Sequence, residues 1–173
     1  LLDEGLFIGS MNGLAERESS TGNWHQYNTQ YSGIISDSVT AVGADTAEHI
    51  FIGTLNGLSV VEGINWFNYT TGNSGLPSNR VRCIYNNDSS VWIGTDNGLV
   101  KWNFGSQNWV VYNAANTNNG LGSNIINDVF QDTSGVYWIA TEQGVTRFDG
   151  ATWSKYTQLS TSNGLGSDQI NAI

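Results

Sequence analysis

Of its 173 residues, the chain has one cysteine, one methionine, two histidines and only six lysines and arginines. The lone Cys83 excludes an intrachain disulfide and leaves the redox compartment open. Against the six basic residues stand 15 Asp and Glu, a formal net charge of −9. A nucleic-acid partner needs a basic footprint, so that class is excluded, and attraction to an anionic membrane surface is disfavoured on the same ground. No apolar run approaches the roughly 18 residues that span a bilayer, so this segment is expected to make no membrane insertion. No stretch keeps a 3.6-residue periodicity over helix length. Nucleophile-elbow, zincin and phosphate-loop patterns are missing. His25 and His49 stand apart, with no Cys, His or acid at metal-ligand spacing. No catalytic residue, metal or cofactor is therefore expected. With no signal peptide and Leu1 in place of an initiator methionine, the sequence reads as a piece of a longer chain or a processed product.

What the chain does contain is repetition. Val91-Trp92-Ile93-Gly94-Thr95-Asp96-Asn97-Gly98-Leu99 has counterparts beginning at Leu6, Ile50 and Tyr137, each a short strand, a tight turn and a returning strand. The turn pair Asn97-Gly98 is a strong hairpin signal, both residues tolerating positive φ. Each copy is followed by Trp-x-x-Tyr, at Trp24–Tyr27, Trp66–Tyr69, Trp109–Tyr112 and Trp153–Tyr156. Then comes Gly33-Ile34-Ile35-Ser36, Gly75-Leu76-Pro77-Ser78, Gly120-Leu121-Gly122-Ser123 or Gly164-Leu165-Gly166-Ser167. A short strand follows each, at Val39–Val42, Val81–Tyr85, Ile126–Phe130 and Ile170–Ile173. Glu16–Gly22 and Ala114–Asn119 read as polar loops.

One unit is thus four β-strands, here A to D, over roughly 43 residues, the size of a β-propeller blade. The second strand is apolar on both faces, as in Val91-Trp92-Ile93, and must be covered from both sides by neighbouring units. Small residues at Gly9, Gly53, Gly94 and Ala140 let adjacent sheets approach. The fold class expected is all-β: four repeats of four-stranded antiparallel sheets, forming a closed four-bladed ring or an arc of a larger propeller. Blade units run roughly 1–38, 39–80, 81–125 and 126–169, with 170–173 starting the next inner strand or closing the ring; Leu1-Leu2-Asp3 continues an inner strand at the other end. An arc would carry exposed apolar end faces.

The stretch Gly75-Leu76-Pro77-Ser78-Asn79-Arg80-Val81-Arg82-Cys83-Ile84, with Asp88 and then Val91 to Leu99, resembles the two-component regulator propeller repeat. The other copies are in phase with it. The resemblance implies large rings, usually seven-bladed, in the periplasmic sensor half of hybrid two-component receptors of Bacteroidetes-like bacteria. Many of those respond to oligosaccharides. It implies an exported, periplasmic or extracellular, non-catalytic sensing or interaction module joined to the rest of a larger parent chain. Similar propellers include the streptogramin lyases, which are enzymes, so a lyase and a purely structural scaffold stay open as alternatives.

Residues that recur in every unit read as architecture: Trp92, Trp138, Phe7 and Phe51, the Trp-x-x-Tyr tryptophans, and Trp102 as packing beside them. Asp45, Asp88 and Asp132, with Asp3 near the start, read as turn residues bonding their own backbone rather than as calcium ligands. Cys83 reads as a buried small hydrophobe. The candidate ligand-binding residues are at the B–C turn tips: Asn12, Asn56, Asp96, Asn97, Glu142 and Gln143. The amide recurs while the residue before it varies, from Met11 to Leu55, Asp96 and Glu142, and variation on a rigid scaffold is where specificity can live. Turn chemistry alone is the stronger explanation of the amides themselves.

Overall fold

The computed structural model describes residues 5–87 and 90–173. Blade one is β1 (Gly5–Ser10), β2 (Gly13–Glu18) and β3 (Trp24–Tyr27). Blade two is β4 (Val39–Ala44), β5 (Ile50–Thr54), β6 (Gly57–Glu62) and β7 (Asn65–Tyr69). Blade three is β8 (Val81–Asn86), β9 (Val91–Thr95), β10 (Gly98–Asn103) and β11 (Asn108–Tyr112), with one 3₁₀ turn at Phe104–Ser106. Blade four is β12 (Ile126–Gln131), β13 (Tyr137–Thr141), β14 (Gly144–Phe148) and β15 (Trp153–Tyr156). Each sheet is an antiparallel meander in chain order, so the expected all-β blade architecture is the one adopted. Among the described residues no helix is long and apolar enough to cross a membrane.

The blades stack because strand B presents apolar side chains on both faces. Phe51 of β5 points forward into a cluster with Val81, Val91 and Ile93 of blade three. Trp92 of β9 does the same against Tyr137, Ile139 and Phe148 of blade four. Phe7 and Leu14 of blade one meet Ile50 and Ile52 of blade two. Alternate residues of one strand thus serve two interfaces, and β5 and β9 are buried along their whole length. Trp102 is fully buried and stacks on Trp109 with centroids 4.2 Å apart. The small position in strand B is set by contact with the next blade. A Cβ on Gly53 would lie 2.5 Å from Val81 Cγ1, and one on Gly9 2.5 Å from Val39 Cγ1.

Four local expectations need correction or delimitation. In the B–C turns only the glycine takes positive φ (134° at Gly98), and Asn97 and its counterparts do not; the Thr95 hydroxyl bonds both the Asn97 N–H and the Gly98 carbonyl. Glu16–Glu18 belong to β2, since Glu16 is buried and accepts from the Tyr27 hydroxyl at 2.6 Å. Residues 170–173 form no strand. They are tied to blade four, with the Ile170 N–H on the Thr141 carbonyl of β13 (3.0 Å) and the Ile173 N–H on Asp128 of β12 (2.9 Å). Leu1-Leu2-Asp3 and Asp88 lie outside the described residues.

Both end faces of the stack are open, so the described residues form an arc. Leu6 and Ile8 of β1 are 57% and 43% exposed, whereas their counterparts Ile50 and Ile52, Val91 and Ile93, and Tyr137 and Ile139 are buried.

Candidate functional site

The inner strands β4, β8 and β12 lie side by side and each carries a register shift at its second residue: between Val39 and Ala41, Val81 and Cys83, and Ile126 and Asp128. A bulge leaves one residue out of the ladder and re-aims its side chain. The residues released are Thr40, Arg82 and Asn127. Asn171 holds the same place in the 170–173 segment. Their side chains form one polar row across consecutive blades, lining a cavity of about 290 Å³ together with Arg80 and Val81.

The row is tied together from blade to blade. The Thr40 hydroxyl donates to the Val81 carbonyl at 2.7 Å. Arg82 Nη1 donates to Asn127 Oδ1 at 3.0 Å, and Asn127 Nδ2 donates to the Ile170 carbonyl at 2.8 Å. Arg82 Nε also donates to Asp96, whose other oxygen is 3.6 Å from Arg80 Nε. The result is a preorganised set of hydroxyl, amide, guanidinium and carboxylate groups around a partly open cavity. All are partly exposed, so the ion pairs set geometry more than they add stability.

Of the six turn-tip residues singled out from sequence, Asp96 is brought to this cavity through the two arginines. Asn97 is exposed and its Nδ2 donates to the Pro77 carbonyl at 3.2 Å. The backbone N–H groups of Asn12, Asn56, Asn97 and Gln143 all bond the hydroxyl two residues earlier, on Ser10, Thr54, Thr95 and Thr141. That hydroxyl also donates to the carbonyl of Gly13, Gly57, Gly98 or Gly144. Turn chemistry thus occupies the backbones of these tips, and all four amide residues are exposed. Glu142 is half-buried beside Gln143. Sequence reasoning missed Thr40, Arg82, Asn127 and Asn171. The available signal was a polar residue directly after the first apolar residue of every strand A.

The remaining candidates resolve locally. Asp45 Oδ1 accepts from the N–H groups of Ala47 and His49, and Asp132 Oδ1 from those of Ser134 and Val136. Asp45 Oδ2 also meets His49 Nδ1 at 2.6 Å, at the mouth of a cavity of about 220 Å³ shared with Phe104 and Ser90. His25 Nε2 lies 2.8 Å from Glu18 on an exposed edge. Burial pushes the Cys83 thiol up to about 12, so it is inert in the fold. Among the described residues no group of three or more His, Cys, Asp or Glu is placed to hold a metal ion.

Residues 75–97 and 120–143 match the family model described as two component regulator propeller. The fold is that of the extracellular domain of a hybrid two-component system from B. thetaiotaomicron, with TM-score 0.82 at 21% identity over 98% of this chain and 24% of that one. A second such domain from the same organism aligns over the whole chain, with TM-score 0.78, 17% identity and 24% of its own length covered. A virginiamycin B lyase from Staphylococcus aureus shares the fold more distantly, with TM-score 0.62 at 8% identity over 88% of this chain and 52% of that one. The chain therefore spans about a quarter of the length of the extracellular domains it matches. No curated protein matches the sequence.

Proposed function

We propose that this chain is a ligand-receiving arc of an exported bacterial sensor or cell-surface protein, lying in the periplasm or outside the cell, and that it binds its ligand without transforming it. The ligand class that suits it is an oligosaccharide or a similar polyhydroxylated small molecule. The observation that carries this reading is the row Thr40–Arg82–Asn127–Asn171 around one cavity, with Asp96 at its rim. Sugar hydroxyls both donate and accept, and a row mixing amides, a hydroxyl, a guanidinium and a carboxylate offers partners of both kinds in fixed positions. The exposed tips Asn12, Asn56, Asn97 and Gln143, with Glu142, would extend the contact surface outward. The placement outside the cytoplasm and the signalling role draw on the likeness to extracellular domains of two-component systems.

The test is a panel of neutral and acidic oligosaccharides screened by thermal shift and then titrated calorimetrically. A specific hit that Arg82→Ala and Asn127→Ala each weaken tenfold or more supports the reading. A panel without a hit favours a scaffold role. Catalysis has one observation of its own, the His49–Asp45 pair beside a cavity, together with the fold likeness to a lyase. A lyase activity that survives replacement of both His25 and His49 would remove those residues from any such mechanism.

A further inference from the structure

The axial cavity is where this acidic chain turns basic. The sequence has six Lys and Arg against 15 Asp and Glu. Two of the six, Arg80 and Arg82, stand on the wall of this one cavity, and the other residues that line it, Thr40, Val81, Asn127 and Asn171, are uncharged. Asp128, next to Asn127, is engaged elsewhere: its two oxygens accept from the Val129 and Ile173 N–H groups. Among the described residues Asp96 is the one carboxylate paired with the arginines, so two guanidiniums share a single negative charge.

That pairing leaves both guanidiniums with N–H groups to offer. Arg82 directs Nε to Asp96 and Nη1 to Asn127, and its Nη2 has no acceptor among the described residues. Arg80 meets Asp96 only through Nε, at 3.6 Å, and neither of its Nη groups has an acceptor among the described residues. A guanidinium is always ionised and presents a planar fork of donors that fits a carboxylate or a sulfate.

The position is built, and the fold does not need the charges there. The Arg80 N–H donates to the Ser78 hydroxyl at 3.2 Å, and the Arg80 carbonyl accepts from the Asp96 N–H at 3.3 Å. Blade two makes the same backbone bond, from the Leu55 N–H to the Ser38 carbonyl at 3.2 Å, with a serine in place of Arg80 and a leucine in place of Asp96. Before β12 the place of Arg80 is taken by Ile125. The charges are thus an addition to one blade, in the middle of the polar row.

We infer that the ligand of the axial cavity is an acidic sugar, its carboxylate or sulfate seated on the free edges of Arg80 and Arg82 and its hydroxyls on Thr40, Asn127 and Asn171. The inference rests on the reading of this cavity as a sugar site and adds that the sugar is negatively charged.

Oligosaccharides in matched pairs test this: uronic-acid oligomers against the same oligomers with each carboxyl reduced to an alcohol, and sulfated oligomers against their desulfated forms. Calorimetric titration of the whole chain at one ionic strength reads each affinity. At least one acidic member is expected to bind tenfold or more tighter than its neutral partner, the scale of a charge-assisted hydrogen bond. Arg80→Gln is expected to narrow that ratio to about threefold or less. Arg80→Lys, which keeps the charge without the planar fork, should recover part of it. Asp96→Asn keeps an acceptor for Arg82 Nε and removes the competing charge, so it should tighten the acidic member about twofold or more. The two kinds of failure separate. Neutral members that bind as tightly as their acidic partners overturn this inference and leave the sugar reading standing, whereas a panel in which no member binds overturns both. An acid preference that Arg80→Gln leaves intact, or an Asp96→Asn chain that binds the acidic member more weakly, would also overturn the assignment of the anion to this pair.

Discussion

The Arg82 guanidinium reaches from one blade to the side chain of Asn127 in the next, at 3.0 Å, while still holding Asp96 in its own blade. Arg82 therefore couples a turn tip to the neighbouring inner strand. Both partners are partly exposed, so removing the guanidinium changes geometry more than stability. Arg82→Ala is expected to keep the melting temperature within a few degrees of wild type. It should also flatten the salt dependence of whatever ligand affinity remains. A fully unfolded variant would contradict the view of this row as a surface feature.

The hydroxyl that ends strand B carries more weight. Thr95 is fully buried, donates to the Gly98 carbonyl at 2.8 Å and accepts from the Asn97 N–H at 3.1 Å. Thr95→Val keeps the shape and strands the Gly98 carbonyl, at a cost of about 1–3 kcal/mol. Thr95→Ser keeps both bonds and is expected to recover most of that loss. Urea denaturation of the two variants measures the difference.

Gly94 tests how close the blades must be. A Cβ there would lie 2.4 Å from Cys83 Sγ and 2.7 Å from Ile126 Cγ2, in the middle of the boundary between blades three and four. Gly94→Ala must push one of them aside and is expected to cost about 1–3 kcal/mol, lowering the melting temperature by roughly 3–10 °C. Ala140 is the same position in blade four, where the Cβ is accommodated and fully buried. Ala140→Gly should accordingly give no comparable gain. A Gly94→Ala protein as stable as wild type would remove close approach as the reason for the small residue.

Blade architecture was legible in the sequence because each of its devices recurs with fixed spacing. Trp-x-x-Tyr marks strand D, and the glycine after the B–C turn is the one residue there with positive φ. The Gly-Leu-x-Ser run is a compact loop in which the serine hydroxyl accepts from the N–H two residues on, as Ser78 does from Arg80 at 3.2 Å. The axial row escaped notice for the opposite reason. Thr, Arg, Asn and Asn share no size or charge, and a bulge leaves no composition signature. Only the ladder shows that the residue after Val39, Val81 or Ile126 is unpaired. The turn tips attracted attention because their residues vary, but there the variable side chains have room, and only Asp96 is drawn into a network.

Acid should loosen blade four. The Asp132 carboxyl is held below its ordinary value of 3.8, chiefly by the Trp138 indole N–H at 2.9 Å and then by the N–H groups of Val136 and Ser134. Asp149 is lowered to about 2, first by the Thr152 N–H and then by Arg147. In both, the folded value lies below the unfolded one. The stabilisation is present above the unfolded value and is lost as pH falls through the folded one. The indole proton resonance of Trp138 should therefore shift as pH drops below about 4. Asp132→Asn, which keeps an acceptor but cannot titrate there, should abolish that step. A Trp138 signal unchanged down to pH 2 would show that the pair does not titrate as a unit.

Cys83 offers a clock for the boundary it sits in. Its thiol packs between blades three and four with Trp92, Ile126 and Val129, and burial raises it to about 12. A disulfide reagent needs both access and thiolate, and the closed boundary supplies neither. Labelling at pH 8 is expected to be far slower than for a free thiol and to proceed only through opening. Whether that opening is global or confined to one boundary is decided by denaturant. A rate that rises with the full unfolding slope means the blades separate only when the whole arc unfolds. A rate that rises with only a fraction of that slope means that blade four detaches alone, because less surface is exposed. Gly94→Ala, which strains the same boundary, should speed labelling in either case. An unchanged rate in that variant would mean that the probe reports some other motion.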